Sequence, residues 1–378
     1  MQNPFRYGAK VTGGSFYDRR EIKAAMLNVI DGCNNAVLYG PRRYGKSSLV
    51  SEILEELSKK GVICIYINMM DIASLADFIT VYSKLVALKV APVASTLKRL
   101  AGMFGRVRPV LSIGDDGKPE LSLSFASSKP GVDELRDALE LPEKIRPKSS
   151  RMVIVFDEFQ EVAELGLGAN FERVMRSVIE NHSEISYVFL GSKTHMMKRM
   201  FSKPSRPFYR SAQAFSLGLP PSDESIDFVV SRFEMVGMKL SKKLAERLTS
   251  LAGNMPYYLQ ALGSWVFRVA SERGSDNVNE GDIADGFAFM YEAERDLFES
   301  MFRQLPESQR LVARALAIEP IGIFTADYRE SHFLPTLSTV STAVHRLMAD
   351  SQIDQIDGSY RIIDPLFAYH LRKTAGKA

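Results

Sequence analysis

Two glycines bracket a short basic turn in Gly40-Pro41-Arg42-Arg43-Tyr44-Gly45-Lys46-Ser47, and a lysine and a hydroxyl follow at once. Glycines let the backbone curl until successive N–H groups converge, and a helix beginning at the lysine adds partial positive charge at the same point. That arrangement is a receptor for a polyphosphate, and the spacing is the G-x-x-x-x-G-K-[ST] of the P-loop. At ordinary residue usage a chain of this length meets the pattern by chance about once in a hundred times, so a ligand-free turn is a poor account of it. Lys46 is expected to reach the β- and γ-phosphates of a nucleoside triphosphate, and the Ser47 hydroxyl to hold Mg²⁺. Pro41, Arg42, Arg43, Tyr44 and Ser48 complete the expected binding loop; the two arginines either touch phosphate or pair with acids of the protein.

A second constellation lies about 110 residues on, where apolar Met152 to Phe156 runs into Asp157-Glu158. An acid at the tip of a buried strand suits ordering of Mg²⁺, directly or through Ser47, which is the Walker B role. A second acid beside it can draw a proton from an attacking water. The pair therefore points to hydrolysis, because a kinase of this class would use a substrate hydroxyl instead. Ser192, after the apolar run Tyr187 to Leu190, is placed either to contact the γ-phosphate or to cap the next helix. Arg206 and Arg210 stand where an arginine finger acting on a neighbouring subunit would sit, or are surface arginines.

These groups need a scaffold. Ala36 to Tyr39 reads as the strand entering the loop. Ser48 to Lys60 reads as the helix leaving it, with Leu49, Val50, Ile53, Leu54 and Leu57 on one face. Asp18 and Glu21 open an earlier helix. Continuous apolar runs at Val62–Ile67, Met152–Phe156 and Tyr187–Leu190 suit fully buried parallel strands, Ala212–Leu217 is a candidate fifth, and helices alternate with them. Residues 91–150 depart from that rhythm. A β-hairpin, Val110–Ile113 and Leu121–Phe125 around Asp115-Asp116-Gly117, is expected between helices near Val93–Phe104 and Val132–Leu139. It is either an edge decoration or a partner contact. Pro220-Pro221 ends the α/β core at about residue 219. Helical patterns fill 220–303, with Gly237, Gly253 and Gly274 as stops. From 304 to 378, helices precede an alternating hairpin turning at Asp357-Gly358, a winged helix-turn-helix pattern.

Composition narrows the rest. Apolar residues at 46% and charged residues at 25% are those of an ordinary globular protein, and a net charge of +3 leaves any nucleic-acid surface local. Two cysteines, Cys33 and Cys64, form neither a zinc motif nor a disulfide framework and suit a reducing compartment. No apolar run is long enough to span a membrane and no signal peptide opens the chain, so a cytoplasmic protein without a membrane partner is expected.

The chain resembles the prokaryotic AAA+-like P-loop ATPases close to the STAND and MNS clades. The resemblance rests on Asn3-Pro4-Phe5, Phe16-Tyr17-Asp18-Arg19-Arg20-Glu21, the P-loop and Phe156-Asp157-Glu158-Phe159-Gln160. It continues through Gly191-Ser192, Pro207-Phe208-Tyr209, Gly253-Asn254-Met255-Pro256 and Tyr360-Arg361-Ile362-Ile363-Asp364-Pro365. It implies an ASCE-type parallel sheet, a helical lid and a C-terminal winged helix. It also implies that Pro256 lies near the base of ATP or ADP, with the N-terminal segment, Phe5 included, on the other side of the adenine. No basic residue lies at Gly253 to Tyr258, where a lid arginine would be expected.

Two functions follow. One is a Mg²⁺-dependent ATPase, slow or partner-stimulated, that acts as a nucleotide-driven switch and assembles as a homo-oligomer in the ATP state. The other is a nucleic-acid-binding regulator or mobile-element accessory protein holding ATP as a structural ligand. In the winged helix, Ser338, Thr339, Ser341, Thr342, His345 and Arg346 could meet DNA. Phosphate affinity needs several cations, however, and Asp350, Asp354 and Asp357 oppose it, which leaves a protein partner as the alternative.

Overall fold

A computed structural model of the chain describes residues 2–8, 19–90, 107–113, 119–125, 130–165, 169–356 and 358–376. The Phe16-Tyr17-Asp18 string, the helix expected near Val93–Phe104 and the turn residues Asp115-Asp116-Gly117 and Asp357 lie outside them. The chain divides into two compact units, one of Arg19–Gly40 and Lys46–Leu217, the other of Met1–Asp18, Pro41–Gly45 and Gly218–Ala378.

The first unit is built on a parallel sheet. In chain order its elements are α1 (Arg20–Asp31), β1 (Ala36–Tyr39), α2 (Lys46–Lys59), β2 (Ile63–Asn68), α3 (Leu75–Val90), β3 (Val107–Ile113) and β4 (Pro119–Phe125). Then come α4 (Val132–Ile145), β5 (Met152–Asp157), α5 (Ala169–Ile179), β6 (Ile185–Gly191), α6 (Thr194–Ser202) and β7 (Gln213–Ser216). Five strands lie in the order β2-β5-β6-β1-β7, all parallel. The acid-bearing strand β5 is thus separated from the loop-bearing strand β1 by β6. Both β5 and β6 are buried along their whole length, which is why they read as unbroken apolar runs rather than alternating ones. Aromatic rings pack across one face, Phe156 lying 6.0 Å from both Tyr82 and Phe189 and 6.3 Å from Tyr187.

The expected hairpin forms as a separate two-stranded antiparallel sheet with Val107 opposite Phe125 and Ile113 opposite Pro119. Helix α4 runs on to Ile145 instead of stopping near Leu139, straight through Pro142. The proline forfeits one ladder bond, and burial of Leu141 and Ile145 outweighs that loss.

The second unit is helical, with α7 (Ser222–Glu234), α8 (Lys242–Leu251), α9 (Pro256–Glu272), α10 (Glu280–Gln304), α11 (Glu307–Ile318), α12 (Ala326–Ser331), α13 (Leu337–Ala349), β8 (Ile353–Ile356), β9 (Ser359–Ile362) and α14 (Pro365–Thr374). Local chemistry sets the starts. Proline opens α9 at its first turn, and Asn279 and Asp282 form a reciprocal capping box on α10. Asp364 caps α14 by accepting from the Leu366 and Phe367 amides at 3.0 and 3.1 Å. Residues 2–8 pack here too: the Phe5 ring lies 5.1 Å from Phe233, and the Arg6 amide donates to Gln260. No helix among the described residues is long and apolar enough to cross a membrane.

Candidate functional site

The phosphate loop leaves the C-terminal end of β1. A β-carbon on Gly40 would come within 2.4 Å of the carbonyl of Leu217, the residue that follows β7, so the chain approaches too closely there for any other residue. Gly45 takes φ of +90°, the left-handed region that favours glycine, and α2 starts at the next residue. Lys46 is 5% exposed, and its ammonium donates to the Gly40 carbonyl at 2.6 Å. Ser47 is half-buried, and its hydroxyl donates to Asp157 Oδ2 at 2.8 Å. The strand order brings them together: β5 ends at Asp157, level with the start of α2.

The same Asp157 oxygen also accepts from the Tyr66 hydroxyl, carried by β2, which pairs with β5 in the register Tyr66 to Val155. Burial, and after it the contact with Asp157, push the Tyr66 phenol well above its ordinary pKa, so it stays a donor. Asp157 Oδ1 accepts from the Glu158 amide at 2.9 Å. Serine, tyrosine and a backbone amide thus fix both oxygens of one carboxylate.

Glu158 sits in the left-handed region at φ of +52°, an uncommon conformation for a residue with a side chain. Its Oε2 accepts three hydrogen bonds: from the Ser192 hydroxyl at 2.6 Å, the Ser192 amide at 3.2 Å and the Gln160 amide group at 2.5 Å. Burial pushes this carboxyl up. The donors from Ser192 and Gln160, together with the charge of Lys46, outweigh burial and leave its pKa below the usual value. Ser192 therefore reaches the acid rather than capping with its side chain, and the N-cap of α6 is Lys193.

The other expected residues are distributed as follows. Pro41 and Tyr44 are buried, Ser48 is half-buried and Arg42 is exposed. Arg43 pairs with Asp364 at 3.0 Å and with the Tyr258 hydroxyl. Pro256 begins α9 directly before Tyr257 and Tyr258, and Phe5 is buried against Phe233. Arg206 is held in an ion pair with Glu172 of α5, while Arg210 is exposed, with its guanidinium 5.2 Å from the Tyr209 ring.

Tyr66 and Gln160 had no role in the sequence reading. Tyr66 was lost in an apolar run whose register against β5 no local pattern reveals. Gln160, two residues after Glu158 and 1% exposed, was legible only as part of a string.

A Mg²⁺ ion fits the donors present. No group of three or more acids, histidines and cysteines placed to hold a metal ion occurs among the described residues. One hydroxyl and one carboxylate are instead what the ion takes when phosphates and water supply its other ligands.

Residues 16–262 match the family described as an ATPase domain predominantly from Archaea. The chain belongs to that family. A second family model, a probable winged helix domain, matches residues 296–373, so the ATPase carries a winged helix at its C-terminal end. Among solved structures, the chain is similar to the Walker-type ATPase PABY2304 of Pyrococcus abyssi, with 17% identity, TM-score 0.67, and 98% of this chain and 99% of that one covered. It is also similar to the Aeropyrum pernix ORC2 protein in ADPNP–ADP complexes, at 14% identity and TM-score 0.54, with 95% of each chain covered. A third likeness is to the Aeropyrum pernix ORC1 protein in complex with DNA, at 16% identity and TM-score 0.50, covering 97% of this chain and 94% of that one. No curated protein matches. The expected fold class, a P-loop parallel sheet with helical elements and a C-terminal winged helix, is the one observed, and the family supports ATP binding.

Proposed function

We propose that this ATPase hydrolyses ATP with Mg²⁺ and uses the cycle as a conformational switch. The observation that carries the reading is the paired acids. Asp157 is fixed beside the Ser47 hydroxyl, and Glu158 is held ionised by Ser192 and Gln160. Ser47 and Asp157 would hold the metal, which supplies neutralisation of phosphate charge. Lys46 would add its charge to the same phosphates once drawn from the Gly40 carbonyl. Glu158 takes the proton of the attacking water. Its three-donor cradle keeps it ionised at neutral pH but lowers its basicity, so loss of one donor on nucleotide binding would strengthen the base. Residues 1–219 are proposed as the ATPase core, 220–303 as a lid that closes on the nucleotide near Pro256, and 304–378 as the winged-helix domain. Among the two candidate trans arginines, exposure favours Arg210, because Arg206 is committed to Glu172.

Glu158→Gln keeps the shape and removes the base. Mg·ATP should bind as before, while hydrolysis falls roughly 10²–10⁴-fold. Turnover at the wild-type rate in that variant would rule out the assignment.

A nucleic-acid-binding role is the second reading, supported by the winged-helix match and the likeness to a DNA-bound ORC1. Helix α13 exposes Ser338, Thr342, His345 and Arg346. A single arginine on that face neutralises about one phosphate, so DNA binding through it should be weak and should fall only shallowly with salt.

A further inference from the structure

Arg43 lies inside the phosphate loop, yet its side chain is committed to protein groups. The guanidinium donates to Asp364 Oδ2 at 3.0 Å and to the Tyr258 hydroxyl, and lies 4.5 Å from the Tyr257 ring centroid and 5.2 Å from that of Tyr258. Tyr258, fully buried, donates to the same Asp364 oxygen at 2.5 Å. The other oxygen of Asp364 accepts the Leu366 and Phe367 amides that begin α14. One carboxylate therefore joins the loop, helix α9 and the last helix of the winged-helix region.

The backbone explains why such an anchor is needed. Arg43 has φ of +67°, a conformation that a residue with a β-carbon keeps only when its surroundings over-determine it. The next residue is held as well: Tyr44 is 4% exposed and lines a cavity of about 560 Å³ with Gly253, Met255, Arg361 and Pro365. Pro41–Gly45 accordingly groups with residues 218–378 rather than with the sheet.

We infer that Arg43, Tyr258 and Asp364 are positioning residues of the nucleotide site, holding the left-handed turn at Arg43 that shapes the phosphate loop. The inference rests on the nucleotide-binding reading of that loop. It makes a residue of the winged-helix region part of the machinery that sets nucleotide affinity. By linkage, nucleotide in the loop must then steady the first turn of α14.

The test uses the full chain, with ADP as the probe and calorimetry as the readout. Asp364→Asn keeps an oxygen to cap α14 and removes the charge. Arg43→Ala removes the partner. Each should weaken ADP binding roughly ten- to a hundredfold, the range for one charge-assisted hydrogen bond, with the melting temperature of Asp364→Asn close to wild type. The double variant should be no weaker than the weaker single, because both act through one contact. In the wild type, ADP should slow hydrogen exchange at Leu366 and Phe367, and in Arg43→Ala it should not. Should Asp364→Asn fail to fold, Tyr258→Phe removes a single hydroxyl from the same junction and should also weaken ADP. Wild-type or tighter affinity in these variants, with Lys46→Ala unable to bind, would overturn the inference and leave the nucleotide site standing. A wild-type chain that binds no ADP would overturn both.

Discussion

Arg206→Ala separates a structural arginine from a catalytic one. The Glu172 side chain is 2% exposed, and Arg206, 26% exposed, is its ion-pair partner. Removing one member of a buried pair strands the other charge, a loss of about 3–5 kcal/mol. Water can follow the partly exposed arginine out, so the lower end of that range is expected. At about 2–4 °C per kcal/mol for a unit of this size, the melting temperature should fall by roughly 6–12 °C. The pH dependence has a definite sign. Burial pushes the Glu172 carboxyl above its ordinary pKa, and Arg206 opposes that shift. Without the arginine the folded pKa rises further, so the folded variant binds a proton more readily than the unfolded chain does. Its stability is greatest below the unfolded pKa and is lost as pH rises through the folded one. The deficit against wild type should therefore be larger at neutral pH than at about pH 5. Calorimetric melts at the two pH values read both quantities. Wild-type melting at each pH, accompanied by loss of ATP turnover, would refute the strut and return Arg206 to the role of a finger.

Three further outcomes are expected. Lys46→Ala should abolish or gravely weaken ATP binding by calorimetry, since no other residue of the motif replaces that charge. Asp157→Asn should leave nucleotide binding insensitive to Mg²⁺, measured as affinity with and without the metal. Tyr66→Phe removes one of three donors to Asp157 and should weaken the Mg²⁺ dependence of turnover several-fold while sparing metal-free ADP affinity, which steady-state rates across a Mg²⁺ titration would reveal.

The chemistry that needs neighbours in sequence was legible in sequence. A phosphate loop requires contiguous backbone, and acids at a strand tip require only the strand before them, so Lys46, Ser47, Asp157 and Glu158 stand out in sequence, and so does the pairing of Ser47 with Asp157. The parallel strands announced themselves because burial on both faces leaves unbroken apolar runs. What escaped depends on register and on long-range pairing. Tyr66 meets Asp157 only because β2 lies level with β5. Ser192 reads in sequence as a phosphate contact or a helix cap, and only the placement of β6 brings its hydroxyl to Glu158. Arg43 had two readings, phosphate or protein acid, and Asp364 supplies the acid 321 positions away. The helix expected near Val132–Leu139 ends short of Pro142, and the burial of Leu141 and Ile145 explains why α4 passes through it.

The strand order also sets a timetable for synthesis. β1 emerges early, yet its neighbours come late: Ala36 pairs with Val188 on one side and with Gln213 on the other. At about 5–20 residues per second, roughly 8–35 s separate the birth of β1 from that of its partners. Throughout that interval Val37 and Leu38, both fully buried in the finished protein, have no sheet to enter. Phe5 waits longer still, for Phe233. The nascent chain therefore carries the apolar residues of β1 unpaired until β6 and β7 are made, and a holding chaperone should bind around Ala36–Tyr39 rather than at β6 or β7.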